Sequence, residues 1–188
     1  LITKFNIVDS KLHYISFSGE FEGKDTRPIL EATLDVMGKN IKIYNVHFPS
    51  GFHDVSMRLD SLKLLKELLL NQNDPAIALG DFNVNTKEDN KLNIYQSQQE
   101  EWIVAHLVGC NSCKGSYYYN YSKTWEYLDT IFLSKDRGIS YVPESIDIHN
   151  TPNNAYSDTG KPIKFNAINK YGVSDHLPMV AKFKIDTL

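Results

Sequence analysis

The chain has 188 residues, enough for one domain or a domain with an appendage. Its 20 basic and 23 acidic side chains leave a formal charge of −3 and a pI near 6.1, which excludes a coat protein that grips nucleic acid through a dense Lys/Arg footprint, though not an enzyme that meets phosphate through a metal. With 41% apolar residues, 11 Tyr, 9 Phe and 2 Trp it is too apolar for disorder; its longest apolar stretch, Leu62 to Leu70, is broken by Lys63, Lys66 and Glu67 and falls short of the ~18 residues of a membrane span.

Leu1-Ile2-Thr3-Lys4 carries no initiator Met and no signal-peptide pattern, and reads as the inside of a strand. The expectation is a piece of something longer. No repeat, low-complexity tract or Pro/Gly/Ser linker interrupts the chain, so residues 1–188 are read as one domain. Residues 2–17 alternate loosely around Asp9-Ser10-Lys11 and predict a hairpin. Pro28 to Val36 and Ile41 to Phe48 predict two strands joined at Met37-Gly38-Lys39-Asn40, the second apolar on both faces and suited to a central position. Val55 to Leu70 predicts a helix, with Leu59, Leu62, Leu65 and Leu69 at spacings of three and four and Leu64 and Leu68 widening the stripe. Pro75 to Leu79 predicts a buried strand ending at Gly80, and Gln98 to Leu107 a second amphipathic helix. Strands follow at Tyr127 to Leu133, Ile139 to Ile148 and Met179 to Ile185, with a long ordered loop over 149–172. This order fits helices packed outside sheets rather than a doubly wound fold.

Four short segments place chemistry-bearing residues at or inside these strands. Ile43 to Gly51 puts His47 at a strand end before Pro49. Ala78 to Asn85 puts Asp81 and Asn83 after a buried strand. Tyr127 to Ser134 puts Asp129 in an apolar strand, and Gly172 to Pro178 puts Asp175 and His176 just before the last strand. Singly, most have bland readings: a His after a strand is commonly a surface or core residue, and Gly-Asp-Phe-Asn is an ordinary turn composition. Asp129 is harder to dismiss, because a buried unpaired carboxylate costs several kcal/mol.

In this order and at this separation, the Asn-x-His strand, Gly-Asp-Phe-Asn, Trp-x-x-Leu-Asp-x-Ile-x-x-Ser and Ser-Asp-His-Leu-Pro resemble the endonuclease/exonuclease/phosphatase superfamily, from about Arg27 to Lys184. The resemblance implies an α+β fold, a four-layer α/β/β/α sandwich, and hydrolysis of phosphoesters with a divalent metal: Mg2+ first, with Mn2+ and Ca2+ as alternatives. It implies that Asp81 orients or deprotonates the attacking water and that Asn83 donates to a phosphoryl oxygen. His176 would be the catalytic histidine with Asp129 fixing its tautomer, and Asp175 a metal-site carboxylate. His47 would protonate or stabilise the leaving oxygen, and Arg27 would contact phosphate unless it is a plain surface arginine. These residues are expected to converge on one open cleft, with an Asp129–His176 hydrogen bond.

The sequence also departs from the family pattern. The family's first-strand Asn and the metal-binding Glu of a Gln-Glu pair are not present; Gln99-Glu100 falls after Gly-Asp-Phe-Asn and cannot be that pair. The chain is therefore read as the C-terminal two thirds of the domain, with its own N-terminal segment as a candidate partner. The substrate is expected to be nucleic acid or another phosphoester. A nuclease-like phosphodiesterase leads; a phosphomonoesterase or sphingomyelinase-like activity is the alternative, and a catalytically inert binding or toxin subunit is the rival from another class. Leu128-Asp129-Thr130 lacks the Cys-Asp-Arg of the inositol-polyphosphate phosphatases. Tyr117, Tyr118, Tyr119, Tyr121 and Trp125 read either as a stacking platform for bases or as the alternating burial of a strand. Cys110-Asn111-Ser112-Cys113 holds the only cysteines. Zinc would need four ligands and only His106 lies nearby in sequence, so a small disulfide is expected, pointing to a periplasmic or secreted protein with a cytoplasmic one left open.

Overall fold

The computed structural model describes residues 1–186. Its centre is a six-stranded sheet in the order β1-β2-β3-β4-β8-β5. Strand β1 (Asn6–His13) runs antiparallel to β2 (Ile29–Val36), which pairs antiparallel with β3 (Lys39–His47). Residues 6–13 are thus one strand with a register shift between Ile7 and Asp9, not the expected hairpin; Asp9-Ser10-Lys11 continue the ladder opposite β2 instead of turning. The β2–β3 turn is tighter than predicted: Met37 and Gly38 alone make it, both at positive φ, the backbone a two-residue hairpin demands.

Helix α1 (Val55–Leu70) has the bounds its periodicity predicts, and Asp54 caps it by accepting a hydrogen bond from Ser56 N at 2.8 Å. It is followed by β4 (Ala76–Asp81), parallel to β3, and by α2 (Thr86–Leu92) and α3 (Ile94–Ser97). The helix expected over Gln98–Leu107 does not form. Strand β5 (Trp102–Val104) occupies its middle, followed by the single turn α4 (Ala105–Val108). Trp102 and Val104 are buried in one core and Ile103 packs on the other, a period of two that outweighs the helical spacing of Trp102, Ile103 and Leu107.

A hairpin of β6 (Tyr117–Tyr119) and β7 (Thr124–Glu126) precedes β8 (Asp129–Ser134), which is antiparallel to both β4 and β5. The strand expected over Ile139–Ile148 is split into β9 (Ile139–Tyr141) and β10 (Asp147–Ile148) by a turn at Pro143–Ser145, where proline cannot donate to a ladder. Residues 149–172 run as an irregular loop with isolated bridges at Ala155–Pro162 and Asn166–Tyr171. Strand β11 (Met179–Val180) pairs with β10, and β12 (Phe183–Ile185) with β9.

The large sheet is apolar on both faces, which gives two cores. On one face Tyr44, Val46, Phe48, Ala78, Phe82 and Phe132 pack with Leu62, Leu65 and Leu69 of α1. On the other, Ile41, Ile43, Ile77, Ile131 and Leu133 pack with Ile139, Tyr141, Phe183 and Ile185, so the short β9/β12 pair covers the face opposite the helix. The fold is mixed α/β, with helix on one side of the sheet and strands on the other.

Candidate active site

The strand register brings three of the expected residues into one row. His47 at the end of β3 pairs with Asp81 at the end of β4, and Asp81 pairs with Asp129 at the start of β8. Side chains at paired positions share a face, so the row projects together from the strand-covered side. Gly80 is what lets β3 and β4 close up here: at φ +136 its backbone lies so near that an added Cβ would meet Val46 O at 2.1 Å.

His176 arrives from the loop before β11. Leu177 N donates to Ser116 O at 2.7 Å, His176 and Tyr117 form a bridge, and their rings lie 4.9 Å apart. His176 Nδ1 donates to Asp129 Oδ2 at 2.6 Å, so Nδ1 carries the proton and Nε2 is the free nitrogen when the ring is neutral. Asp129 is itself held by its backbone N–H, which donates to Ser116 Oγ at 3.0 Å. Asp81, Asp129 and His176 each place a ligand-type atom within 4.8 Å of the others. His47 Nε2 stands 3.5 Å from Asp81 Oδ2.

The titration of these groups follows from their setting. Burial and the neighbouring Asp129 charge push the Asp81 carboxyl up to about 6. Burial acts to lower His176, but the hydrogen bond and charge of Asp129 prevail and hold it above the ordinary histidine value. His47 is shifted down, by burial first and then by the positive charges of Arg27 and His176. Two histidines in one site are thus driven apart, the arrangement that separates acid from base roles.

The other expected residues are placed differently. Asn83 is at φ 54, its N–H donates to Asp81 Oδ1 at 2.9 Å, and its Nδ2 donates to Phe48 O at 3.1 Å. It therefore ties the Asp81 turn to the segment after His47. Arg27 is exposed on the loop before β2, near enough for its charge to bear on His47. Asp175 lies outside the Asp81–Asp129–His176 group, and its Oδ2 is 3.1 Å from Lys164 Nζ. Ser116 and Lys164 are not singled out from sequence; no local pattern marks them, since each reaches the site by long-range packing, whereas Tyr117, read from sequence within the candidate stacking platform, lies beside His176. In the β6–β7 hairpin, Tyr117 and Tyr119 sit on one face, toward His176, while Tyr118 packs on Trp125 on the other.

No protein-family model matches the sequence, and no curated protein matches it. Solved structures do match. An endonuclease/exonuclease/phosphatase family protein from Leptotrichia buccalis superposes with a TM-score of 0.64 at 19% identity, over 97% of this chain and 63% of that one. A mannosyl-6-phosphatase from Bacteroides thetaiotaomicron superposes at 0.60 and 17% identity, over 97% and 68%. The catalytic domain of human Nocturnin, solved with a bound sulfate anion, superposes at 0.56 and 20% identity, over 96% and 60%. The chain thus spans roughly two thirds of the length of the structures it matches. With its strand-end acids and its Asp129–His176 pair set on this sheet, the chain has the fold of the endonuclease/exonuclease/phosphatase superfamily.

Proposed function

We propose that the chain is the C-terminal two thirds of a metal-dependent phosphoesterase domain, nuclease-like in its preference for phosphodiesters. The observation that carries this reading is the Asp81–Asp129–His176 cluster, with His176 hydrogen-bonded to Asp129. In-line displacement at phosphorus needs a water activated on one side and charge neutralised on the other. Asp81, with a carboxyl that titrates near 6, accepts the proton of the attacking water at neutral pH. His176 donates from Nε2 to a phosphoryl oxygen when protonated, a state that the Asp129 hydrogen bond favours. His47, on the far side of Asp81, bonds the leaving oxygen, and Arg27 screens the substrate's charge.

The residues present fit a divalent cation. Two carboxylates crowd one another so closely that one carboxyl is driven to about 6, a repulsion that a cation relieves. Asp175 would hold it after leaving Lys164, with Asp81 kept for the attacking water. Its hard oxygen donors suit Mg2+, with Mn2+ and Ca2+ as alternatives. Such an ion supplies Lewis-acid neutralisation of the phosphoryl oxygens.

The sugar-phosphatase neighbour favours one second reading, a phosphomonoesterase built on the same cluster. Hydrolysis of bis-p-nitrophenyl phosphate against p-nitrophenyl phosphate, with and without Mg2+, separates the two. Faster Mg2+-dependent cleavage of the diester, abolished by EDTA and by His176→Ala, is the expected result. Preference for the monoester would select the second reading, and no turnover of either under any divalent metal, even with an N-terminal segment carrying a Gln-Glu pair supplied, would leave the inert binding subunit. Because the 188 residues include no strand-borne Gln-Glu pair, the isolated chain is expected to hydrolyse phosphodiesters poorly or not at all, and to gain both metal affinity and rate when an N-terminal segment carrying that pair is supplied. The Cys110–Cys113 disulfide accords with a periplasmic or secreted setting, and no helix among the described residues is long and apolar enough to cross a membrane.

A further inference from the structure

We propose that Cys110, Cys113 and Asp147 form a zinc site when the two cysteines are reduced, and that the disulfide is the oxidised, metal-free state of the same loop. The turn itself is preset. Cys113 N donates to Cys110 O at 2.9 Å, Cys110 sits at φ 63, and the two Cα atoms are 5.2 Å apart, so both sulfurs leave one side of the loop. The third donor comes from elsewhere in the chain. Asp147, opening β10, points a carboxylate at the pair: its Oδ1 is 3.4 Å from Cys113 Sγ, and one donor atom from each of the three residues lies within 4.8 Å of the others.

That contact is the informative one. In the disulfide the sulfur has no hydrogen to share with this oxygen; reduced, the thiol would share its hydrogen and the thiolate a cation. On a tetrahedral zinc, with bonds of about 2.3 Å to sulfur and about 2.1 Å to oxygen, the two donor atoms stand roughly 3.6 Å apart. The Cys113–Asp147 spacing is close to that, while the two sulfurs, bonded to each other in the disulfide, would part to roughly 3.8 Å on the ion. Asp147 Oδ1 is also held in place by Ile148 N, which donates to it at 2.8 Å. A cleft of about 540 Å3 opens on Cys110 and Asp147 with Glu144 in its wall, and a second of about 240 Å3 opens on Cys113 and Asp147 from the other side. A fourth position is therefore open to water. The sequence neighbour His106 takes no part: its Nδ1 is 2.8 Å from Thr130 Oγ1 and its ring stacks on Tyr127.

The change of state balances. A dithiol reductant gives two electrons and two protons to the S–S bond, yielding two thiols and its own disulfide. Zinc then displaces both thiol protons, so binding two thiolates and one carboxylate releases two protons.

The test uses the full 188-residue chain, reduced with a phosphine under inert gas, freed of excess reductant and titrated with Co2+, then Zn2+. Only thiolate ligation gives the near-ultraviolet sulfur-to-cobalt charge-transfer band, so metal taken up beside His176 does not mimic it. The expected result is a band saturating at one Co2+ per chain and removed by one equivalent of Zn2+, with no band in the oxidised chain or in Cys113→Ser. Asp147→Asn, an exposed change that leaves the circular dichroism intact, should weaken zinc binding roughly tenfold or more, since losing even an outer partner of a ligand costs that much. Absence of the band in the reduced wild-type chain would overturn the proposal. So would Asp147→Asn binding zinc as tightly as the parent, because the site would then be a bare dithiol.

Discussion

Asp81 is ionised in the unfolded chain above its ordinary value of 3.8, yet in the folded protein burial and Asp129 hold its proton until about 6. The folded state therefore binds more protons between these values, and stability falls as pH rises from 3.8 to about 6. Above that window the cost is at most about 3 kcal/mol, two units at about 1.36 kcal/mol each. Asp81→Asn should accordingly raise the urea midpoint in metal-free buffer at pH 7 and leave it unchanged near pH 3; equal midpoints at pH 7 would show that Asp81 is not strained. The same carboxyl predicts an acidic limb near pH 6 in the hydrolysis profile of an enzyme that uses Asp81 as its base. At the next position in the row, Asp129→Asn should keep the fold and lower kcat on the order of 100-fold, because His176 loses the acceptor that fixes its proton on Nδ1. Unchanged turnover would remove Asp129 from the mechanism. These residues were legible in the sequence because each stands at a strand end beside a turn-forming neighbour. The groups that steady them were not. Ser116 and Lys164 act across 13 and 11 residues of intervening chain, through contacts that no spacing rule announces.

At the scale of elements, α1 shows what a hydrophobic stripe conceals. Leu62, Leu65 and Leu69 are buried as their spacing predicts, but Leu59 is 40% exposed and Arg58 beside it is 0% exposed. Arg58 is not a misplaced surface residue. Its Nη1 donates to Pro49 O, Ser50 O and His53 O, at 3.2, 2.8 and 3.2 Å, and its Nε and Nη2 donate to the Glu88 carboxylate of α2. It thereby joins the loop after His47 to the helix after Asp81 and Asn83. Arg58→Met should destabilise the chain by about 3–5 kcal/mol in urea denaturation, the scale for stranding one partner of a buried pair. A loss below about 1 kcal/mol would mean that water replaces the guanidinium. An arginine inside an apolar repeat reads from sequence as the solvated face, because periodicity reports which side is buried on average and carries no record of a distant glutamate. The helix expected over Gln98–Leu107 failed for a related reason: a three-residue strand is too short for its alternation to outvote a helical pattern, and its pairing partner, Ser134 to Phe132, lies thirty residues away.

For the molecule as a whole, the sheet has an edge at β1 that other strands can reach. Strand β1 lies at the end of the strand order with β2 as its one partner, and Ile7, Val8 and Leu12 along it are exposed. Free edges of this kind recruit other strands. Val8→Lys should therefore lower self-association of the 188-residue chain, measured by light scattering across a concentration series; identical association would place the contact elsewhere. The candidate site lies on inner strands instead, where the parallel β3–β4 step and the antiparallel β4–β8 step put His47, Asp81 and Asp129 on consecutive rungs. Rungs in a sheet are separated by about 4.8 Å whatever side chains they bear. The spacing of His47, Asp81 and Asp129 is thus a backbone constant, as graduations are fixed on a ruler. Point substitutions at these positions exchange the chemical group without moving the mark it occupies. Descendants of such a chain are free to change the groups in this row while keeping the span between them.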